Sequence, residues 1–501
     1  MKKKLLFWIN GFMLHFSLAY YLKQKLESDF YAIVDVPNNP KKMFMNQKLI
    51  NFQKTWYFHD IIKRTTAKPD LEYLTAFEKK YRINLWKLAI NERHFYKFNR
   101  FYKFTQEEIL RFLEEECKLF ETIIDEVKPD YFLTYDPPFH HQKLILDLCK
   151  ARGINILCLY IARKGGKSII AEDGGTLNLP QNLDYVWLTE QEINMPKEND
   201  QEKNNSSYTS LTKNYKVERT PSISNKLKAL LDYIMLSDSN NVKTNFTYYG
   251  RTKPKVILDT LSLTVKRRAR ARFLQHNLKK IVDLNIPFVY FPMNVDEELS
   301  VLHYSPFFTD QIELIKHVAK SIPVDYQLYV KDHIFSEFRA WRDIREYQEI
   351  MDIPNVTLIH PSYSSMELVK HSRLVVTTRG TASFDAACEN IPSIVFGDVP
   401  FSIVPSVRKI NSLDELPRLI RTCLETPIDP SYIQKYIRLI DKISVDFSMM
   451  DFEVKRNLHF FSGKIFSDIS ISEKNVKQFL ENNKEYFESL TNAHLTKINC
   501  D

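Results

Sequence analysis

Four segments combine residue types that could bind or transfer an anionic group. The densest runs from Val375 to Phe401. Leu374-Val375-Val376-Thr377 reads as a strand and delivers Thr378-Arg379-Gly380-Thr381-Ala382-Ser383 into a helix. Hydroxyls and free backbone N–H groups at a helix start suit a phosphate, and Gly380 allows close backbone approach. Thr378, Gly380, Thr381 and Ser383 are therefore candidate phosphate ligands; a capped helix start in any α/β protein would read the same way. Asn390-Ile391-Pro392-Ser393-Ile394-Val395-Phe396-Gly397 follows as another strand ending in a glycine turn. The second segment is Tyr329-Val330-Lys331-Asp332-His333, an apolar strand ending in a cation and an imidazole. Lys331 and His333 suit a mono- or diphosphate leaving group, against the alternative of an exposed strand end. His360-Pro361 at the next strand end is a weaker version of the same pattern.

The third segment is Ala171-Glu172-Asp173-Gly174-Gly175. A carboxylate at a strand end can act as a base on an acceptor hydroxyl or attack an anomeric carbon. Glu172 and Asp173 are the candidates, although Glu-Asp-Gly-Gly is also a common turn. Arg163-Lys164-Gly165-Gly166-Lys167, just before it, is a basic loop that could place Lys164 near the same cleft. The fourth segment, Tyr290 to Glu298, runs from a strand into an acidic loop. Asn294 and Asp296 are candidate sugar or acceptor contacts there, against the alternative of a solvated loop.

These segments need a scaffold that brings strand ends together. In the first half, Leu5-Leu6-Phe7-Trp8-Ile9 reads as a buried strand, and Asn10-Gly11 turns it into a helix through Met13, Leu14, Leu18 and Leu22. Tyr31 to Val36 is a second strand, and residues Trp56 to Ile62 suggest a third. A helical stretch is expected from Leu71 to Tyr102. The capping box Thr105-Gln106-Glu107-Glu108 opens the next helix, which stops before Pro129. Strands at Tyr131–Tyr135 and Ile154–Ile161 flank a helix from His141 to Arg152 that closes at Gly153. A polar stretch, Lys197 to Asn214, reads as a linker or loop, and helices are expected at about 221–237 and 255–284.

A second alternation begins at Pro287. Its strands are Phe288–Phe291, Gln327–Val330, Val356–Ile359, Leu374–Thr377 and Ser393–Phe396, with helices starting near Thr309, Phe335, Ser364 and Thr381. Alternating strands and helices imply mainly parallel sheets. The expectation is an α/β chain of two Rossmann-like domains in GT-B arrangement, with a helical linker and a helical C-terminal tail. Its parts are residues 1–195, the linker and helices 196–285, a second domain 286–430, and a tail 431–501 that packs back across the first domain.

Composition agrees with a folded chain of several domains. The 501 residues are 44% hydrophobic and 26% charged, an ordinary globular balance. The net charge of +8 is mild for this length, and no zinc-finger or RNP motif is present, so no nucleic-acid partner is expected. One basic run stands out: Lys266, Arg267, Arg268, Arg270 and Arg272. It is either a solvated helix face or a contact with anionic lipid or an acidic acceptor. The six cysteines include no CxxC pair and read as buried free thiols of a reducing compartment. Met1-Lys2-Lys3-Lys4 and the apolar run after it imitate a signal peptide, but Asn10, Gly11 and His15 interrupt the run. No apolar stretch reaches the roughly 18 residues of a membrane span.

Together, these segments resemble the capsule polysaccharide biosynthesis family, which includes the β-Kdo transferases of capsule and lipopolysaccharide assembly. That family runs from a strand ending in Pro-Leu-Gln with a nearby Asp, through Lys-Glu-His-Pro, to Ser/Thr-x-x-Gly-x-Glu-Ala and Gly-Lys-Pro-Val-Ile-x-x-Gly. The matching stretches here are Pro292-Met293-Asn294 with Asp296, Lys331-Asp332-His333-Ile334, Thr378 to Ala386, and Asn390 to Gly397. Ile334 stands for the usual Pro, Asn294 for Gln and Asp385 for Glu. Glu172-Asp173-Gly174 is similar to the Glu-Asp-Gly motif of such transferases and of bacterial sialyltransferases. The likeness covers residues 286 to 400 well and the first domain loosely.

The resemblance implies a glycosyltransferase of surface (capsular) polysaccharide synthesis that uses a CMP-activated acidic sugar such as Kdo. It implies no cofactor and no metal, in keeping with the lack of an Asp-x-Asp motif at a strand end. Lys331, His333, Thr378 and Thr381 would hold the donor phosphate and Asp173 would be the catalytic carboxylate. The implied partners are a nucleotide-sugar donor and a lipid-linked or oligosaccharide acceptor. The implied location is cytoplasmic, peripheral at the inner face of the plasma membrane. Two other classes stay open: a CDP-polyol phosphotransferase of teichoic-acid type, and a non-catalytic assembly protein.

Overall fold

The structure is a computed structural model that describes residues 2–63, 67–163, 165–172, 174–175, 223–334, 342–461 and 468–500. Asp173, Lys164, the Lys197–Asn214 stretch and the helix expected near Phe335 lie outside these residues.

The five apolar residues after Lys4 are fully buried in β1 (Lys4–Asn10), the centre of the first sheet. Around it lie β2 (Asp29–Asp35), β3 (Lys54–Tyr57), β4 (Tyr131–Tyr135), β5 (Asn155–Ile161) and β6 (Ser168–Ala171). Their order is β3-β2-β1-β4-β5-β6. The first five are parallel, and β6 runs antiparallel to β5. Gly165 and Gly166, both at positive φ, make the reversal between β5 and β6, a conformation glycine adopts without strain.

The second sheet contains β7 (Phe288–Pro292), β8 (Gln327–Lys331), β9 (Val356–Ile359), β10 (Leu374–Thr377), β11 (Ser393–Val395) and β12 (Val407–Lys409), all parallel. Its order is β12-β11-β10-β7-β8-β9. Read from the other edge, this is the same 3-2-1-4-5-6 winding as the first sheet, the Rossmann order. The chain therefore has the two Rossmann-like domains expected, with a helical linker and a helical tail.

Two local expectations are corrected. The stretch Leu71 to Tyr102 is not one helix. Asp70 caps a helix Leu71–Tyr81, Arg82 ends it in the left-handed region at φ 55°, and Asn84 caps a second helix, Leu85–Ile90. Turns follow. Local side-chain capping broke what apolar spacing alone joined. The third strand is also shorter than Trp56 to Ile62: β3 stops at Tyr57, and Phe58–Ile61 is a helical turn. The capping box at Thr105 and Glu108 forms as expected and opens the helix Gln106–Val127.

The tail comprises the helices Ser431–Ile443, Met449–Phe461, Glu473–Asn482 and Lys484–Cys500. It crosses from one domain to the other. Ile433, Tyr436, Leu439 and Ile440 share a core with Phe384 and Phe401 of the second domain and with Tyr160 and Ile169 of the first. Further on, Val445 exchanges backbone hydrogen bonds of 3.1 and 2.7 Å with Ser168 in β6. Phe447, Phe452, Phe479 and Phe487 then fill the face of the first sheet beside Leu5, Phe7 and the helix Leu14–Lys25. Tyr21 stacks on Phe487 at 5.2 Å and donates to the carbonyl of Leu480. Among the described residues Cys117, Cys149, Cys158 and Cys423 are buried free thiols.

Replacing a fully buried phenylalanine leaves a cavity as well as losing apolar burial. Phe487→Ala should therefore destabilise the first domain by about 3–5 kcal/mol, read as a lower urea midpoint. An unchanged midpoint would mean that the last helix is no part of that core.

Candidate functional site

In a doubly wound sheet, ligands bind beyond the strand C-termini where the winding reverses. In the second sheet that point lies between β7 and β10. Thr377, the last residue of β10, donates from Oγ1 to the carbonyl of Pro292, the last residue of β7, at 3.2 Å. Two residues on, the amide of Asn294 donates to the hydroxyl of Thr378 and lies 3.4 Å from that of Thr377. Gly380 lies against this pair. A Cβ there would stand 2.7 Å from Thr377 Oγ1 and 3.0 Å from Asn294 Oδ1, too close for real side-chain atoms. Ser383 is fully buried and donates to the carbonyl of Gly380 at 2.7 Å. Thr381, half-buried, precedes the helix Ala382–Cys388 and caps it with no side-chain hydrogen bond.

Asn294 is itself fixed from behind. Gln311 accepts from the Asn294 N–H at 2.7 Å and donates to its carbonyl at 2.9 Å. The same Gln311 amide donates to Asp296, whose other oxygen meets Arg342 at 2.9 Å. Asp296 is thus buried with both oxygens engaged. Burial raises its pKa, and Arg342 opposes the rise. Asp332, fully buried, accepts from Tyr347 and lies 3.9 Å from Arg342.

Lys331 ends β8, beside β7, in register with Pro292. Lys331 is 4% exposed, and the hydrogen bond described for its ammonium goes to the carbonyl of Pro361 at 3.3 Å. Burial pushes its pKa down to about 8, with Asp332 pulling the other way. An ammonium can donate three hydrogen bonds, so this buried cation retains capacity for an anion. His333 follows, half-buried, its backbone N–H donating to Asp332 at 2.7 Å.

The two domains meet at the same edge. Arg379 stacks its guanidinium 3.8 Å from the centre of the Tyr304 ring. It donates to the carbonyl of Asp398 at 2.5 Å and to the carbonyl of Gly174 across the cleft. The Gly174 N–H donates to the Tyr304 hydroxyl at 3.2 Å, and that hydroxyl donates to Asp136, which follows β4. Burial, with Asp136 beside it, raises the Tyr304 pKa well above its ordinary value. In the first sheet the winding reverses between β1 and β4. There Asn10 donates to the Tyr135 hydroxyl at 2.6 Å. Both reversal points thus open toward this junction.

Of the sequence candidates, Asn294, Thr378, Gly380 and Ser383 come together as one loop cluster, and Lys331 and His333 lie at the same sheet edge. Thr378 and Ser383 spend their hydroxyls within the cluster. Glu172 is exposed, one residue before Asp173. Sequence reasoning did not select Tyr304, Gln311, Arg342 or Asp136. Arg379 lay inside a segment already singled out.

No curated protein matches the chain. Among solved structures, it is similar to KpsC, a beta Kdo 2,7 transferase of Thermosulfurimonas dismutans, at 11% identity over 80% of this chain and 98% of that one, with a TM-score of 0.30. It is also similar to the UDP-GlcNAc 2-epimerase of Methanocaldococcus jannaschii in complex with UDP-GlcNAc and UDP, at 12% identity over 88% and 99%, TM-score 0.26. A third is the UDP-GlcNAc 2-epimerase of Neisseria meningitidis bound to UDP-GlcNAc, at 11% identity over 88% and 100%, TM-score 0.25. Residues 168–406, which hold the Gly174 side of the cleft and all of the second-domain cluster, match the family model described as capsule polysaccharide biosynthesis protein. Over that segment the chain is similar to the capsule polysaccharide biosynthesis family.

Proposed function

We propose that the protein is a glycosyltransferase of capsular polysaccharide synthesis that takes an acidic sugar such as Kdo from a CMP-sugar. The observation that carries this reading is Lys331. It is a buried cation with one described hydrogen bond, at the end of the strand next to β7, whose last residue marks the Rossmann reversal point. That arrangement suits an anionic leaving group.

In this reading Lys331, His333, Thr381 and the backbone at Gly380 hold the donor phosphate, and no metal is needed there. Thr378 and Ser383 keep the loop in shape. Asn294 and Lys164 contact the sugar or acceptor, whereas Asp296 acts through Gln311 to hold Asn294. As the glycosidic C–O bond breaks, negative charge grows on the phosphate, and a fixed cation favours that state over the bound donor. Asp173 is the base on the acceptor hydroxyl or the nucleophile at the anomeric carbon, with Glu172 beside it in sequence. Closure of the domains keeps water from the reacting bond.

A ligand bound only by the native state raises its stability. CMP should therefore raise the Tm of the wild type, and His333→Ala should lose most of that rise. Stabilisation by CDP-glycerol or CDP-ribitol in place of CMP would reassign the chain to the polyol phosphotransferases, and no response to any nucleotide would remove the enzyme reading. The Lys331 ammonium binds phosphate only while protonated. CMP affinity should fall as pH rises through about 8, by up to roughly tenfold per pH unit for one proton. In Lys331→Arg, which stays charged, the fall should be absent.

Asp173→Asn keeps the side-chain shape and removes the charge. Nucleotide affinity should persist while transfer drops at least ~10²-fold. Transfer near the wild-type rate would move the search to Glu172.

The surface gives the peripheral location its support. No helix of the described residues is long and apolar enough to cross a membrane. On the helix Lys253–Asn277, Leu258, Leu261 and Val265 are more than half exposed. They share one helical stripe with Arg268 and Arg272. Arg270, from the same basic run, is buried instead. The helix Ile223–Leu236 adds exposed Leu231, Met235 and Leu236. Apolar residues beside basic ones suit an anionic bilayer surface. Vesicles containing phosphatidylglycerol should bind the protein in a salt-sensitive way, and charge removal at Lys266, Arg267, Arg268 and Arg272 should abolish it. Binding unchanged by those substitutions would return the run to a solvated helix face.

A further inference from the structure

The first domain contains a buried polar cluster that the proposed transfer reaction does not use. Glu116 comes from the helix Gln106–Val127. His140 and His141 open the helix His140–Ala151. All three are at most 1% exposed. One ligand-capable atom from each lies within 4.8 Å of the other two.

Each histidine is oriented by a carboxylate behind it. His140 Nδ1 is 2.8 Å from Glu92, and His141 Nε2 is 3.1 Å from Asp35. Asp35 also meets His59 Nε2 at 2.9 Å. If each carboxylate accepts an N–H, the other nitrogen of each ring carries a lone pair. For His140 that nitrogen, Nε2, lies 3.0 Å from Glu116. For His141 it is Nδ1, which is buried with no hydrogen-bond partner. Two acceptors facing each other, as Nε2 and Glu116 then do, require a cation between them. A proton on His140 would serve, but it would leave His141 Nδ1 unsatisfied. A divalent ion satisfies all three groups together.

We propose that Glu116, His140 and His141 hold one divalent transition-metal ion, with zinc the best fit to two imidazole nitrogens and one carboxylate oxygen. Glu92 and Asp35 are the outer carboxylates that fix the ring tautomers, a recurrent arrangement behind metal-binding histidines. The ion would be structural. It would tie the helix Gln106–Val127 to the first turn of the helix His140–Ala151, which follows the loop carrying Asp136 to the domain junction. It is a separate site from the donor phosphate, and its test does not depend on transferase activity.

The full chain is stripped with a chelator, dialysed, and titrated with Zn²⁺, with bound metal measured by mass spectrometry. Uptake of about one equivalent per chain, with a rise in Tm that the chelator reverses, is the expected result. Co²⁺ as a second probe should give the intense visible bands of a four-coordinate site. Glu116→Gln and His141→Gln should each weaken uptake at least 100-fold. Asp35→Asn, outside the ligand set, should weaken it roughly 10–100-fold. Failure of the wild type to retain stoichiometric Zn²⁺ or Co²⁺ would overturn the proposal, as would equal uptake by folded Glu116→Gln and His141→Gln. If a ligand variant does not fold, the wild-type stoichiometry and the Co²⁺ spectrum still decide.

Discussion

The guanidinium of Arg379 lies flat over Tyr304 and reaches across the cleft to the carbonyl of Gly174. This contact fixes how one sheet edge faces the other. A planar, always-charged group suits it, because stacking and in-plane hydrogen bonding can act at once. Arg379 is buried, so its charge must be met by fixed dipoles, and the carbonyls of Asp398 and Gly174 supply two of them. Tyr304 extends the junction to Asp136 and to the Gly174 N–H. The residue after Asp173 is therefore held through both its N–H and its carbonyl by the second domain. Losing either partner would leave buried polar groups unmet, which costs more than the bond itself contributes.

Geometry at the junction is polar, but cohesion between the domains is apolar. Tyr160 and Ile169 of the first domain and Phe384, Val399 and Phe401 of the second pack in one cluster with Ile433 to Ile440 of the tail. Apolar burial is non-directional and could not by itself choose the angle between the sheets. The hydrogen bonds at Gly174 are directional and supply that choice. The same division appears within the second domain. Apolar strands build the sheet, while Asp296, Gln311 and Arg342 hold the Asn294 loop where β7 and β10 part.

Much of this was legible in the sequence. The strands of the second domain announced themselves as short apolar runs at regular spacing, and Val356–Ile359 and Leu374–Thr377 begin and end where that pattern placed them. The loop Thr378 to Ser383 was legible because hydroxyls and a glycine stood between a strand and a helix. The helix break at Arg82 and Asn84 was not, because apolar spacing carries across a cap. Asp296 looked like a ligand in an acidic loop. Only its distant partners, Arg342 and Gln311, show its oxygens already engaged. The histidine cluster was equally hidden. Its members lie on β2, two helices and a turn, and no local spacing joins Asp35, Glu92, Glu116 and His140.

The tail places a demand on the order in which the protein is made. The face of the first sheet that carries Leu5, Phe7 and the helix Leu14–Lys25 is completed by Phe452, Phe479 and Phe487. Those residues leave the ribosome after the whole second domain. At about 5–20 residues per second, the interval between β5 and the last helix is on the order of half a minute. During that time a wide apolar face of the earlier-made domain has no native cover, and a holdase chaperone would find its target there. The second domain, whose strands and helices follow each other closely in the chain, can close its own core first. The first of the two domains to be made is thus the last to finish folding.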